Sequence, residues 1–257
     1  MKKILVVMFV MIFMLLSSAS VYADEYPSGF DSNTLYESAE IKDVKILFSR
    51  ANSGISDIAN EKGIKSAKIT NLSSGEEKNI ETKSTTQLLK RKKSKNGAIT
   101  NNYATTSFAT IKNSDLNVMS LLRNKYDYAT EDRSYSVRAY STIYWDEVVS
   151  DGITYYTLDH VSGGWSILDS QATISNRFVR LGQNGWVYGY GWKQQYTPWM
   201  SVSSIYTKYA YTSWSPVSST STNFVGGSQR CIITQQGSSW WFVFAHNITG
   251  TTSYTYD

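Results

Sequence analysis

The 257-residue sequence carries 8 Trp, 19 Tyr and 9 Phe but only 1 Cys, 2 His and 3 Pro, with a formal net charge of +4. A lone cysteine makes neither an intrachain disulfide nor a thiolate zinc cluster, and two histidines leave little for imidazole-based metal or acid–base work. Aromatic residues at 14% and charged residues at 18% exclude global disorder, which needs low hydrophobicity and high charge, and the length is ample for a real core.

Lys2 and Lys3 precede an apolar run from Ile4 to about Leu16, followed by Ser/Ala-rich residues and Val21-Tyr22-Ala23 before Asp24. A basic start, an apolar stretch and a small residue at the junction read as a secretory signal peptide over residues 1–23, cleaved after Ala23. A membrane-spanning helix needs about 20 apolar residues, more than this run supplies. The expected protein is therefore secreted and extracellular. Without Lys2 and Lys3 its net charge falls from +4 to about +2, which argues against a nucleic-acid partner. Cys231 suits a chain exported by a bacterium that does not rely on disulfides, and reads as a small buried side chain in a strand.

Composition changes around residue 96. From Lys62 to Lys95 there are 10 basic residues against 3 acidic ones, whereas all 8 Trp lie between Trp145 and Trp241. The expected organisation after the signal peptide is a charged N-terminal region with a β-hairpin (24–95) and an aromatic, Ser/Thr-rich β-sandwich domain (96–257). The junction, Lys90-Arg91-Lys92-Lys93-Ser94-Lys95-Asn96-Gly97, reads as a solvated loop. Cleavage there, at Lys93, would turn the first part into a pro-region.

Leu35 to Phe48 fits a helix or a short strand, with no sustained period to decide. Lys65 to Leu72 and Asn79 to Leu88 read as strands around a longer hairpin loop, and Tyr103 to Ile111 as another strand. Asp115 to Asn124 places Leu116, Met119 and Leu122 near helical spacing. From Tyr135 to Trp145 apolar residues alternate with Ser, Thr and Arg at a period of two, a strand pattern. Asp151-Gly152 and Asn184-Gly185 match two-residue type I′ turns. A third hairpin joins Cys231–Thr234 to Trp240–His246 across Gln235–Ser239. The predicted fold class is all-β, mainly an antiparallel β-sandwich, with at most one or two short helices in the N-terminal half.

Familiar catalytic signatures do not occur: there is no Gly-x-Ser-x-Gly elbow, His-Glu-x-x-His pair or phosphate-binding loop. Three constellations remain. Asp159 and Asp169 bracket Val161-Ser162-Gly163-Gly164-Trp165, and a hairpin there would bring both carboxylates to a calcium ion; no other cofactor is expected. His160 with Cys231 and an Asp would form a nucleophilic triad only if the fold gathered them. Asp146 and Glu147 point to opposite faces of a strand and cannot by themselves make a glycosidase pair. The third constellation is an aromatic display. A strand from Val187 to Trp192 would put Tyr188, Tyr190 and Trp192 on one face, with Trp199 nearby, and such rings suit sugar stacking, membrane interfaces and cores alike.

The leading expectation is a secreted, non-enzymatic protein that binds a cell-envelope glycan or a membrane surface through Tyr188, Tyr190, Trp192 and Trp199. A bacteriocin-like or membrane-active toxin is the alternative, and a hydrolase using Asp159, His160 or Asp169 a third. The oligomeric state and the ligand are not legible.

Overall fold

The computed structural model describes residues 32–59, 63–116, 134–219 and 224–249. The described residues fold as an all-β, sandwich-like structure of two seven-stranded antiparallel sheets with one α-helix. Numbered in chain order, the first sheet runs β1 (Ser32–Glu37), β4 (Thr82–Ser94), β5 (Ile99–Lys112), β6 (Tyr135–Ser150), β7 (Ile153–Ile167), β11 (Ile205–Tyr209), with β12 (Val217–Ser218) further along β7. The second runs β10 (Met200–Ser201), β8 (Thr173–Val187), β13 (Phe224–Gln235), β14 (Ser238–Thr249), β2 (Lys65–Asn71), β3 (Glu77–Ile80), with β9 (Gly191–Lys193) further along β8.

Alternation sets what each strand buries. Tyr103, Ile143, Trp145, Leu158 and Val161 of the first sheet pack against Val179, Leu181, Cys231, Ile233, Phe242 and Phe244 of the second in one core. Three inward positions of the second sheet hold glutamines, each fully hydrogen-bonded across the interior. Gln183 accepts from the Leu158 amide and donates to the Ser215 carbonyl. Gln229 accepts from the Tyr206 hydroxyl and donates to the Tyr140 carbonyl. Gln235 accepts from Ser136 and donates to Asn113 and Asp169. A buried amide without partners would be costly; here the partners come from the opposite sheet and from the segments that join the strands.

The helix α1 (Val44–Asn52) starts where the Asp43 carboxylate accepts from the amides of Lys45 (2.7 Å) and Ile46 (3.3 Å), satisfying two orphan donors. It buries Leu47 and Ala51 against Phe108 on the outward side of the first sheet. Phe48 meets Phe108 edge-on at 5.2 Å, and Arg138 lies 3.6 Å over the Phe48 ring. The ambiguous stretch from Leu35 to Phe48 thus holds the end of β1 and the start of α1.

Several sequence expectations shift. The run from Asn79 to Leu88 is divided at Glu81, where the chain leaves the second sheet as β3 and enters the first as β4. The basic junction is not a loop: β4 continues to Ser94 and pairs with β5, Lys93 opposite Ile99. Strands from both sides of residue 96 share both sheets, since β2 pairs with β14 and β4 lies between β1 and β5. Asp151-Gly152 is the expected turn, with φ of 50° and 77°. Asn184-Gly185 is not a turn but lies inside β8, and the chain reverses beyond Val187 instead. The β13–β14 turn is tighter than expected, built on Gln236 and Gly237 alone. The expected signal peptide, with Ala23, lies outside the described residues, as does most of the predicted helix from Asp115 to Asn124; Asp115 itself closes a short 3-10 turn, Asn113–Asp115. Among the described residues no helix is long and apolar enough to cross a membrane.

Candidate ligand-binding site

β8 turns back on itself through Tyr188, Gly189 and Tyr190 into β9. Gly189 and Gly191 take φ of 74° and 77°, a left-handed conformation that glycine adopts without the Cβ clash. The two glycines therefore make the turn, rather than spacing aromatics along one strand. Trp186 and Trp192 become register partners across the hairpin. The result is four large rings on one projection: Trp186 is 52% exposed, Tyr188 63%, Tyr190 63% and Trp192 41%.

The projection is held from below. Gln195 donates to the carbonyls of Gln183 and Ser215 (2.9 Å each) and accepts from the Ser215 amide, while the Asn184 Oδ1 accepts from the Gln195 amide. Ser218 donates to the Trp186 carbonyl at 3.2 Å. Lys193 lies with its ammonium 4.1 Å from the Tyr190 ring centroid, a cation–π contact. The ring cluster therefore sits on a rigid base.

Trp199, expected with the other three, stands apart and half-buried on the outward side of the second sheet, with the Arg230 guanidinium 4.1 Å over its ring. Phe178 and Trp241 flank the same guanidinium at 5.4 and 5.1 Å. Nearby, Arg180 lies 4.4 Å over Tyr196. Tyr196 belongs to the same aromatic-rich stretch of the sequence, whereas Arg180, Asn184 and Arg230 carried no binding expectation; the even-numbered alternation of Phe178, Arg180 and Trp186 along one strand was the available signal.

The acidic candidates are dispersed. Val161 to Trp165 is not a loop but part of β7, so Asp159 and Ile167 are about 26 Å apart at strand rise. Asp159 sits at a bulge between β6 and β7, which lets neighbouring side chains meet: the Asp159 carboxylate lies 2.8 Å from His160 Nδ1. The His160 ring stacks on Tyr144 at 3.8 Å and leans on Tyr209 at 5.1 Å. Asp169 accepts from Gln235 at 3.0 Å, Asn113 at 3.3 Å and the Gln171 amide at 2.9 Å. No cluster of three or more His, Cys, Asp or Glu groups able to hold a metal occurs among the described residues.

Cys231 is fully buried, and burial pushes its thiol well above the ordinary range; a nucleophile needs the opposite. Asp146 accepts from Asn102, while Glu147 influences Tyr103 on the core side, so the adjacent acids face apart. Burial, and secondarily the Asp159 charge, raises the Asp146 carboxyl against the opposing Asn102 hydrogen bond. Lys93 is exposed in β4, between Asn33 of β1 and Ile99 of β5.

No family model, curated protein or solved structure matches this chain.

Proposed function

We propose that the protein is a secreted, non-enzymatic module that binds a cell-envelope glycan through the β8–β9 hairpin. The observation that carries this reading is the exposure of Trp186, Tyr188, Tyr190 and Trp192 together on one braced turn. Each ring has an apolar face for a sugar ring and a polar tip for its hydroxyls. Contiguous exposed aromatics on a rigid support mark interaction sites. The groups put forward for catalysis support the non-enzymatic part, because Cys231 packs in the core and Asp169 serves a structural network.

Purified full-length protein incubated with insoluble peptidoglycan sacculi provides the test. Co-sedimentation of the native protein and its loss in W186A/W192A and Y188A/Y190A supports the reading. Equal sedimentation of native and variant proteins, or none at all, overturns it. Dye-loaded anionic liposomes form the second arm: leakage there would favour the membrane-active alternative.

A further inference from the structure

We propose that the outward face of β8 carries a carboxylate subsite, so that the glycan held by the aromatic hairpin is an acidic one; this rests on the glycan-binding reading above. Along β8, Val179, Leu181 and Val187 enter the core, so Phe178, Arg180, Asn184 and Trp186 lie on the opposite side. The returning chain runs beside them, with Trp192 opposite Trp186 and Tyr196 opposite Gly182. Between the aromatic hairpin and Arg230 lies a narrow cleft walled by Arg180, Asn184, Tyr196, Trp199, Phe224 and Ser228.

Two donors in that wall are shielded from solvent and have no acceptor: Asn184 Nδ2 and Trp199 Nε1. Asn184 is 1% exposed. Its Oδ1 already accepts from the Gln195 amide, which fixes the amide orientation and turns the unused nitrogen elsewhere. The third contributor is Arg180, stacked on Tyr196 and anchored by its Nε to the Thr197 carbonyl at 3.0 Å. Arginine and the indole nitrogen donate only. A cleft presenting donors and positive charge selects an anionic oxygen.

Size refines the class. The cleft leaves about 10 Å³ of room, enough for one water-sized group. A slot of that size takes one anionic oxygen, and a sugar carboxylate presents such an oxygen at the edge of its ring. From Arg180 to Trp186 the strand rises about 20 Å, so an extended polymer stacked on Trp186 and Trp192 reaches the slot with an acidic unit further along. Arg230, cradled by Phe178, Trp199 and Trp241, continues the positive aromatic surface beyond it.

Calorimetric titration of the full chain with polygalacturonate and with its methyl ester, which share a backbone and differ in charge, tests the subsite. The acid form is expected to bind at least about tenfold more tightly, the scale of one charge-assisted hydrogen bond, and to weaken as salt is raised. W199F keeps the ring and removes the donor; R180K keeps the charge and removes the fork. Each is expected to lower affinity for the acid about tenfold while leaving the ester unchanged and the folded circular dichroism signal in place. Equal affinity for the two polymers, binding of both variants at the native level, or no binding to either polymer overturns the carboxylate subsite. The sacculus assay with W186A/W192A then decides the glycan-binding reading separately.

Discussion

The Tyr206 hydroxyl of the first sheet donates to Gln229 Oε1 of the second at 2.8 Å, and neither residue reaches solvent. Gln229 in turn donates to the Tyr140 carbonyl at 3.3 Å. Replacing one partner strands the other, which costs more than the bond itself contributes. Q229L is expected to destabilise the protein by about 1–2 kcal/mol, by removing the acceptor of a buried hydroxyl whose other side-chain partner is Ser141. The Y206F/Q229L double variant is expected to lose less than the sum of the single changes, as contacting residues do not add. Urea denaturation of the four proteins measures this; strict additivity would contradict the pairing.

Buried and half-buried tyrosines give the fold an alkaline limit. Burial raises the hydroxyls of Tyr103, Tyr140, Tyr144 and Tyr206 above their ordinary range, with Glu40 adding to the effect at Tyr144. The folded protein therefore keeps protons that the unfolded chain releases above about pH 10, so stability falls as pH climbs past that value. Absorbance titration should show this shielded set ionising only with loss of the folded circular dichroism signal. A single reversible step without unfolding would refute this.

Asp146 works in the same direction at lower pH. Its carboxyl is raised by burial, so its contribution is most favourable below the unfolded value of about 3.9 and is lost as pH rises through the folded one. D146N is expected to raise Tm by about 2–4 °C at pH 7, with the gain vanishing near pH 3. Thermal melts across that range decide it, and a gain independent of pH would point to packing instead.

Asp169 is expected to be structural. D169A removes the acceptor shared by Gln235, Asn113 and the Gln171 amide, at a cost of about 1–3 kcal/mol. Calcium and chelator are expected to leave the native Tm where it is; a rise with calcium that D169A abolishes would reinstate a metal role.

At the β13–β14 turn, Gln236 holds φ of 51° ahead of Gly237 at 79°. Asparagine tolerates that region better and precedes glycine in the favoured turn. Q236N is therefore expected to stabilise by about 0.5 kcal/mol, the preference outweighing the exposed hydrogen bond to Gln171. G237A is expected to cost about 1–2 kcal/mol. Chemical denaturation reads both.

How much of this was legible depends on residue type. Alternation from Tyr135 to Trp145 announced β6, and Asp151-Gly152 announced its turn, because apolar period and positive φ leave local marks. Asn184-Gly185 carried the same mark and misled, since the Asn184 oxygen serves the Gln195 amide and Gly185 pairs with Lys193. Gln235, expected in a hairpin loop, instead ends β13 and, like Gln183 and Gln229, points inward; partners from distant parts of the chain make this tolerable. Trp186 and Trp192 were visible as aromatics, but their pairing depended on where the chain reversed. The cleft beside Arg180 joins residues from β8, β13 and the segment after β9, a juxtaposition no local pattern encodes.

The order in which strands leave the ribosome differs from the order in which they pair. β4, β5 and β6 each meet the next strand along the chain, so this part of the first sheet can zip from hairpin to hairpin. β2 has no such neighbour beyond β3: its inner partner is β14, with Lys65 opposite His246, the last strand among the described residues. Such distant pairings form slowly. A nascent chain therefore carries an open edge at β2 until β14 arrives, and any polypeptide stopped short of Trp240 stays unlatched however complete its first sheet.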